Sequence, residues 1–176
     1  MKKQFFGILV LLIGLIVSCA QPTKQALTEE ERNAIEQEVR DINDGLASSA
    51  NALKTDFFRD TYWNDDQFLA VDFYGVSGYD TYINDTEEMY STMEAIEFTK
   101  DTVMVRVLDA ETAYAIFKGR ATGQSKNGAK MNLNNFYASM LLRKVNDEWK
   151  IAFTHESAEQ EIMMPTDSTM VEEAME

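Results

Sequence analysis

The sequence predicts an α+β domain with helices gathered on one face of an antiparallel sheet. Three observations predict it. Apolar residues recur at helical spacing in the first half, and they alternate at strand spacing from Ala95 onward. Turn-forming pairs then divide the second half into a four-strand meander.

Thr28-x-x-Glu31 is a capping box with acids in the first turn, so Thr28 starts the first helix. Ile35, Val39, Ile42, Leu46 and Leu53 form its apolar stripe, and Gly45 with Ser48-Ser49 predicts a break near 45–50. A shorter helix is expected over 55–62, presenting Phe57, Phe58 and Tyr62. Asn64-Asp65-Asp66 makes a turn, 67–74 reads as a strand, and Gly75 and Gly78 mark another turn. A third helix follows over 79–93 with Tyr82, Ile83, Met89, Tyr90 and Met93 on its apolar side. Strands are predicted near 96–108, 112–123, 130–144 and 148–157. Asn127-Gly128 predicts a tight hairpin between the second and third, and Asn146-Asp147 a turn between the third and fourth. No repeat is visible.

The amino terminus has its own grammar. Lys2 and Lys3 precede an apolar run from Phe5 to Val17, too short for the roughly 20 residues that a spanning helix needs. Ile16-Val17-Ser18-Cys19 resembles the lipobox of bacterial lipoproteins, with Val17 where a small residue is commoner. That resemblance implies cleavage after residue 18 and acylation of Cys19. The expected organisation is a signal peptide over 1–18, lipidated Cys19 and a tether over 19–27, a domain over 28–157, and an acidic, disordered or loosely helical tail over 158–176. Ala20 and the acid-free residues after it imply an outer-membrane lipoprotein facing the periplasm.

The chain carries 30 acidic against 16 basic residues, a formal net charge of −14. Such an excess disfavours nucleic acid and anionic lipid head groups, which need clustered Lys and Arg. Cys19 is the single cysteine, so lipidation leaves no thiol for a disulfide, a metal or nucleophilic catalysis.

Two segments carry a family resemblance over about residues 28–157. Tyr62-Trp63-Asn64-Asp65-Asp66-Gln67-Phe68-Leu69-Ala70-Val71-Asp72 is similar to an aromatic–Asp-Asp–apolar-strand–Asp segment of the nuclear transport factor 2-like (NTF2-like) superfamily, in its SnoaL-like and DUF4440-type members. Trp149-Lys150-Ile151-Ala152-Phe153-Thr154-His155-Glu156-Ser157 is similar to the closing strand of those members. Phe153 stands at that strand's first histidine and His155 at its second. The resemblance implies a cone, about three helices closing a strongly curved, mostly antiparallel sheet, with bulges or glycines such as Gly119 and Gly123 supplying the curvature.

Alternation in the last strand places Trp149, Ile151, Phe153, His155 and Ser157 on one face. His155 there is either a general base or ligand donor, or a hydrogen-bonded histidine at the core edge. Asp72 follows Phe68-Leu69-Ala70-Val71, where burial would raise its pKa and make it a base. Its other reading is a turn residue before Gly75. Isomerase-like members of the superfamily place a proton-abstracting Asp at the end of this strand and a Tyr on the first helix, where this chain has Ala47. Trp63, Tyr74, Tyr79, Tyr82, Tyr137 and Phe153 are expected to line a pocket, or to be plain core. Asn132, Asn134 and Asn135 read either a polar ligand or a hairpin edge.

No Gly-rich phosphate loop, Gly-x-Ser-x-Gly elbow or His-Glu-x-x-His occurs, and one histidine does not make a zinc site. No cofactor and no metal are expected. The leading expectation is a lipid-anchored envelope protein whose domain binds a small apolar or amphipathic ligand or a protein partner. The alternative is a cofactor-independent enzyme using Asp72 and His155. A homodimer through the sheet is a third possibility, as relatives of this fold form them.

Overall fold

A computed structural model describes residues 26–164. The proposed signal peptide, Cys19 and the segment 165–176 lie outside the described residues. Thr28 caps α1 (Glu29–Asn51): its hydroxyl accepts the Glu31 amide at 3.2 Å, and the Glu31 carboxylate accepts the Thr28 amide at 2.8 Å. The predicted break at 45–50 does not occur. A Cβ on Gly45 would stand 2.3 Å from the Phe57 ring, so the glycine is a notch for its neighbour. Leu53 lies beyond the helix with φ +53°, outside the expected stripe. The buried stripe is Ile35, Val39, Asn43, Leu46 and Ala50, so a polar side chain holds a core position.

Phe57 belongs to α2 (Asp56–Thr61), after which Tyr62 bridges to Ile151 and the Trp63 amide donates to the Ile151 carbonyl. β1 (Leu69–Asp72) is shorter than the predicted strand, because the Asp72 carboxylate accepts the Tyr74 amide at 2.8 Å and turns the chain. Gly75, at φ +126°, opens the unpredicted β2 (Gly75–Ser77), which pairs antiparallel with β1. α3 (Tyr79–Thr92) buries Tyr82, Ile83 and Tyr90.

Four long strands follow: β3 (Met93–Asp109), β4 (Thr112–Ser125), β5 (Lys130–Val145) and β6 (Glu148–Met163). They form a meander within one sheet of order β2-β1-β6-β5-β4-β3, where only the β1–β6 pairing is parallel. Asn146 and Asp147 both take positive φ, as a two-residue hairpin matched to the sheet's twist requires. Gly128, at φ +86°, serves the preceding hairpin.

The sheet bends where extra residues accumulate. β3 carries one at Asp101, and β5 carries one at 134–135, where Asn135 takes φ +48°. This accounts for Asn135 inside that strand: Asn tolerates left-handed backbone better than most residues. Gly119 of β4 lies between these two bulges. A Cβ there would come 2.3 Å from the Thr99 carbonyl, so the backbones approach closely at the bend.

α1 covers the open edge of the sheet. Arg32 and Arg40 donate to the carbonyls of Val107 and Val103, and Asn51 bonds both the amide and the carbonyl of Phe98. Side-chain groups thereby occupy positions that another strand would seek. Trp149, 8% exposed, donates its indole N–H to Glu38 of α1 at 2.6 Å. No helix among the described residues is long and apolar enough to cross a membrane.

The expected tail is corrected over its first part. β6 continues to Met163, pairing Lys130 with Met163 and Leu133 with Gln160. The first half of β5 needs a partner for its backbone, and residues 158–163 supply it.

Candidate functional site

The last strand decides what the cone contains. Trp149 and Ile151 are buried, and simple alternation would place Phe153 and His155 beside them. β5 instead pairs Leu142 with Ile151 and Leu141 with Phe153, leaving Ala152 as an extra residue. A one-residue bulge exchanges the two faces for everything after it. Ile151 and Ala152 are both buried, Thr154 is fully buried, and His155 is exposed. Pairing with β1 agrees. Ala70 stands beside Thr154, both at 0% exposure, and Val71 stands beside His155. The next inward positions on the two strands are Asp72 and Glu156.

Both line a cavity of about 140 Å³ between the helices and the curved sheet. Its wall is mostly apolar and aromatic, with Leu46, Phe58, Tyr90, Phe117, Phe136 and Met140 among its members. Three of the polar side chains lie in one chain of contacts. Tyr82 donates to Glu156 at 2.7 Å, and the Tyr82 and Tyr62 hydroxyls are 3.3 Å apart. With the Tyr82 proton committed to the carboxylate, Tyr62 is the donor between them.

Burial pushes the Glu156 carboxyl up to about 7, against the Tyr82 hydrogen bond, with Asp72 adding to the rise. The same burial, beside the Glu156 charge, drives Tyr82 well above the usual phenol range, and Tyr62 and Tyr90 upward. The tyrosines therefore remain hydroxyls, and Glu156 is the group that changes charge near neutrality. Such a carboxyl can accept a proton, return it, or meet a ligand in either state.

The other predicted residues separate into two sets. Tyr82 and Tyr74 line the cavity, Tyr74 at its rim in the β1–β2 turn with 77% exposure. Tyr79 packs on Phe68 and donates to the Arg59 carbonyl, outside the lining. Trp63 lies under the Arg143 guanidinium at 5.7 Å, also outside it. Tyr137, with Lys118 over its ring at 6.0 Å, is on the outer face because Phe136 and Ala138 face inward. Phe153 and His155 join that outer face through the bulge, so Asp72 and His155 do not share the cavity. Ala47 lines it with no hydroxyl to offer.

Sequence reasoning missed Glu156 and Asn43. The signal for the first was the triplet Ile151-Ala152-Phe153, three apolar residues in succession where a half-buried strand should alternate. The signal for the second was its spacing, four residues after Val39 and three before Leu46. Among the described residues, no group of three His, Cys, Asp or Glu is placed to hold a metal ion.

Among curated proteins none matches the sequence. Solved structures do. Hexachlorocyclohexane dehydrochlorinase LinA-type3 from Novosphingobium barchaimii LL02 is 8% identical with a TM-score of 0.66, over 80% of this chain and 96% of its own. An NTF2-like superfamily protein from Salmonella enterica serovar Typhimurium LT2 is 17% identical with a TM-score of 0.65, over 77% and 94%. At such identities the likeness is one of fold, the NTF2-like cone. The SnoaL-like domain family matches residues 39–161, from the first helix to the far end of β6, taking in both Asp72 and Glu156. The chain belongs to the SnoaL-like domain family.

Proposed function

We propose that this SnoaL-like domain binds one small apolar or amphipathic molecule inside its cone, while an acylated Cys19 holds the chain to the cell envelope, at the outer membrane facing the periplasm. The observation that carries the binding reading is the cavity itself. A mostly apolar wall ends in a carboxyl that Tyr82 holds in place, the arrangement of a site that buries a ligand's body and orients its polar end. Native mass spectrometry of the chain purified from its own host tests it. A bound mass is expected, and Ala47→Phe, which fills the cavity from its wall, should remove it. An empty wild-type protein would count against the reading.

The anchor rests on Ile16-Val17-Ser18-Cys19 after an apolar run. Several acyl chains hold a protein firmly where one does so marginally. Labelled fatty acid should enter the wild type and not Cys19→Ser.

One observation favours a second reading, cofactor-independent proton transfer: a carboxyl near 7 in an apolar site is poised as a general acid or base. Some structures of the same fold are named dehydrochlorinases, a chemistry that removes a proton, although fold does not carry activity. In this reading Glu156 takes the role first given to the Asp72 and His155 pair, with Asp72 beside it. Glu156→Gln should then abolish turnover while His155→Ala leaves it intact.

A further inference from the structure

The cavity has a charge pattern that an apolar ligand alone would not need. Asp72 and Glu156 line it, Asp85 lines its rim, and no Lys, Arg or His does so among the described residues. A carboxylate ligand would meet like charge and no counter-charge there.

Asn43 supplies a second, independent observation. It is 1% exposed in the middle of α1 and lines the cavity. Its amide N–H donates to the Val39 carbonyl at 2.8 Å, while its buried Oδ1 has no partner among the described residues. A buried acceptor left unpaired is costly and rare. It calls for a donor from whatever fills the space.

We infer that the cavity takes a protonated amine with an apolar body, whose ammonium N–H groups bond Asn43 Oδ1 and whose charge is met by Glu156 and Asp72. This rests on the reading of the cavity as a small-molecule site, and it names the class of molecule. The aromatic wall fits the same class. Rings such as Phe58, Tyr90, Phe117 and Phe136 pack against an apolar body, and their faces attract a cation. A neutral alcohol could satisfy Asn43, but it would leave the carboxylates without a counter-charge. A quaternary ammonium would satisfy the charge but offer Asn43 no donor.

Isothermal titration of the whole chain in zwitterionic phosphatidylcholine nanodiscs, with empty nanodiscs as the blank, separates these cases. The probes are 2-phenylethylamine, 2-phenylethanol and phenylacetate, matched in size and differing in charge. The amine should bind at least about tenfold more tightly than the alcohol, with phenylacetate weakest. Glu156→Gln and Asn43→Ala, each checked for an unchanged folded spectrum, should each reduce that preference several-fold. An alcohol that binds as well as the amine would overturn the inference and leave the small-molecule site standing. A preference that survives both substitutions would overturn it too, by placing the amine elsewhere. Binding by none of the three would end both readings.

Discussion

The two faces of the curved sheet are made by the same long strands, yet they differ in kind. The inner face is packed at Ala113, Ala115, Leu142 and Ile151, all at 0% exposure, and toward Phe117, Phe136 and Glu156 it opens onto the cavity. The outer face mixes half-exposed Met104 and Tyr137 and exposed Leu108 with Arg106, Arg143 and His155. Carboxylates therefore gather inside and basic groups stand outside in this part of the sheet. What assigns a residue of β6 to one face or the other is a single inserted residue, Ala152. The chemistry of the cone depends on a count, and a count can be changed.

Thr154→Arg is the hardest blow to that arrangement. The bulge turns Thr154 inward beside Ala70, both fully buried, so a guanidinium there would be buried without a partner. The expected cost is comparable to the whole stability of a domain, on the order of 5–15 kcal/mol. Circular dichroism should show no cooperative melting. A variant that melts like the wild type would put Thr154 on the outer face and undo the exchange at Ala152.

Trp149→Ala probes the same strand before the bulge, where the inner face is assigned by ordinary alternation. Removing a buried indole should cost about 3–5 kcal/mol, and here the hydrogen bond to Glu38 goes with it. Urea denaturation measures the loss. A midpoint unmoved from wild type would detach this end of β6 from α1.

Glu156→Gln sharpens the comparison through pH. Glu156 titrates near 7 in the folded chain, above the roughly 4.3 of an unfolded glutamate. Between those values the folded state holds a proton that the unfolded state has lost, so this residue's contribution to stability falls as pH rises through that window. Below it the contribution is fully present. Relative to Glu156→Gln, the wild type should lose up to about 3 kcal/mol between about pH 4 and about pH 7. Denaturation of both proteins across that range reads the difference directly. A difference independent of pH would place the Glu156 carboxyl in water, on the outer face.

Most of the fold was legible because it rests on period. Helical spacing in α1 and α3 and alternation in β3 to β5 are repeated many times, so one irregular residue hardly disturbs them. The site was less legible because it depends on exceptions to period. Ala152 shifts the pattern by one residue, and the two assignments of Ile151-Ala152-Phe153 are equally apolar. Asn43 hides in a buried stripe because its side chain is polar. In β1 the apolar run continues into Phe73 and Tyr74, but Asp72 captures the Tyr74 amide and ends the strand. The acids at Glu159 and Glu161 suggested a tail, although they alternate with Ala158 and Gln160, which face the core and the cavity. Outside the described residues, the lipobox was legible from sequence alone, as a resemblance.

The smallest effect is expected at His155, and its smallness is the point. The residue is exposed, with Ser139 beside it on β5 and Val71 beside it on β1. No hydrogen bond or ion pair ties its ring to the cavity groups, whereas Glu156 is joined to Tyr82. An exposed side chain without such ties usually contributes within about 0.5 kcal/mol. His155→Ala should therefore melt within a degree or two of wild type, about what that energy allows in a domain of this length. It should also leave ligand binding unchanged under conditions where Glu156→Gln alters it. The pair of variants differs by one position on one strand, so any shared cause such as altered expression or general loosening would move both. If His155→Ala reduced binding as much as Glu156→Gln, the imidazole would have to reach the cavity. The exchange of faces at Ala152, and the division of the sheet that follows from it, would then be wrong.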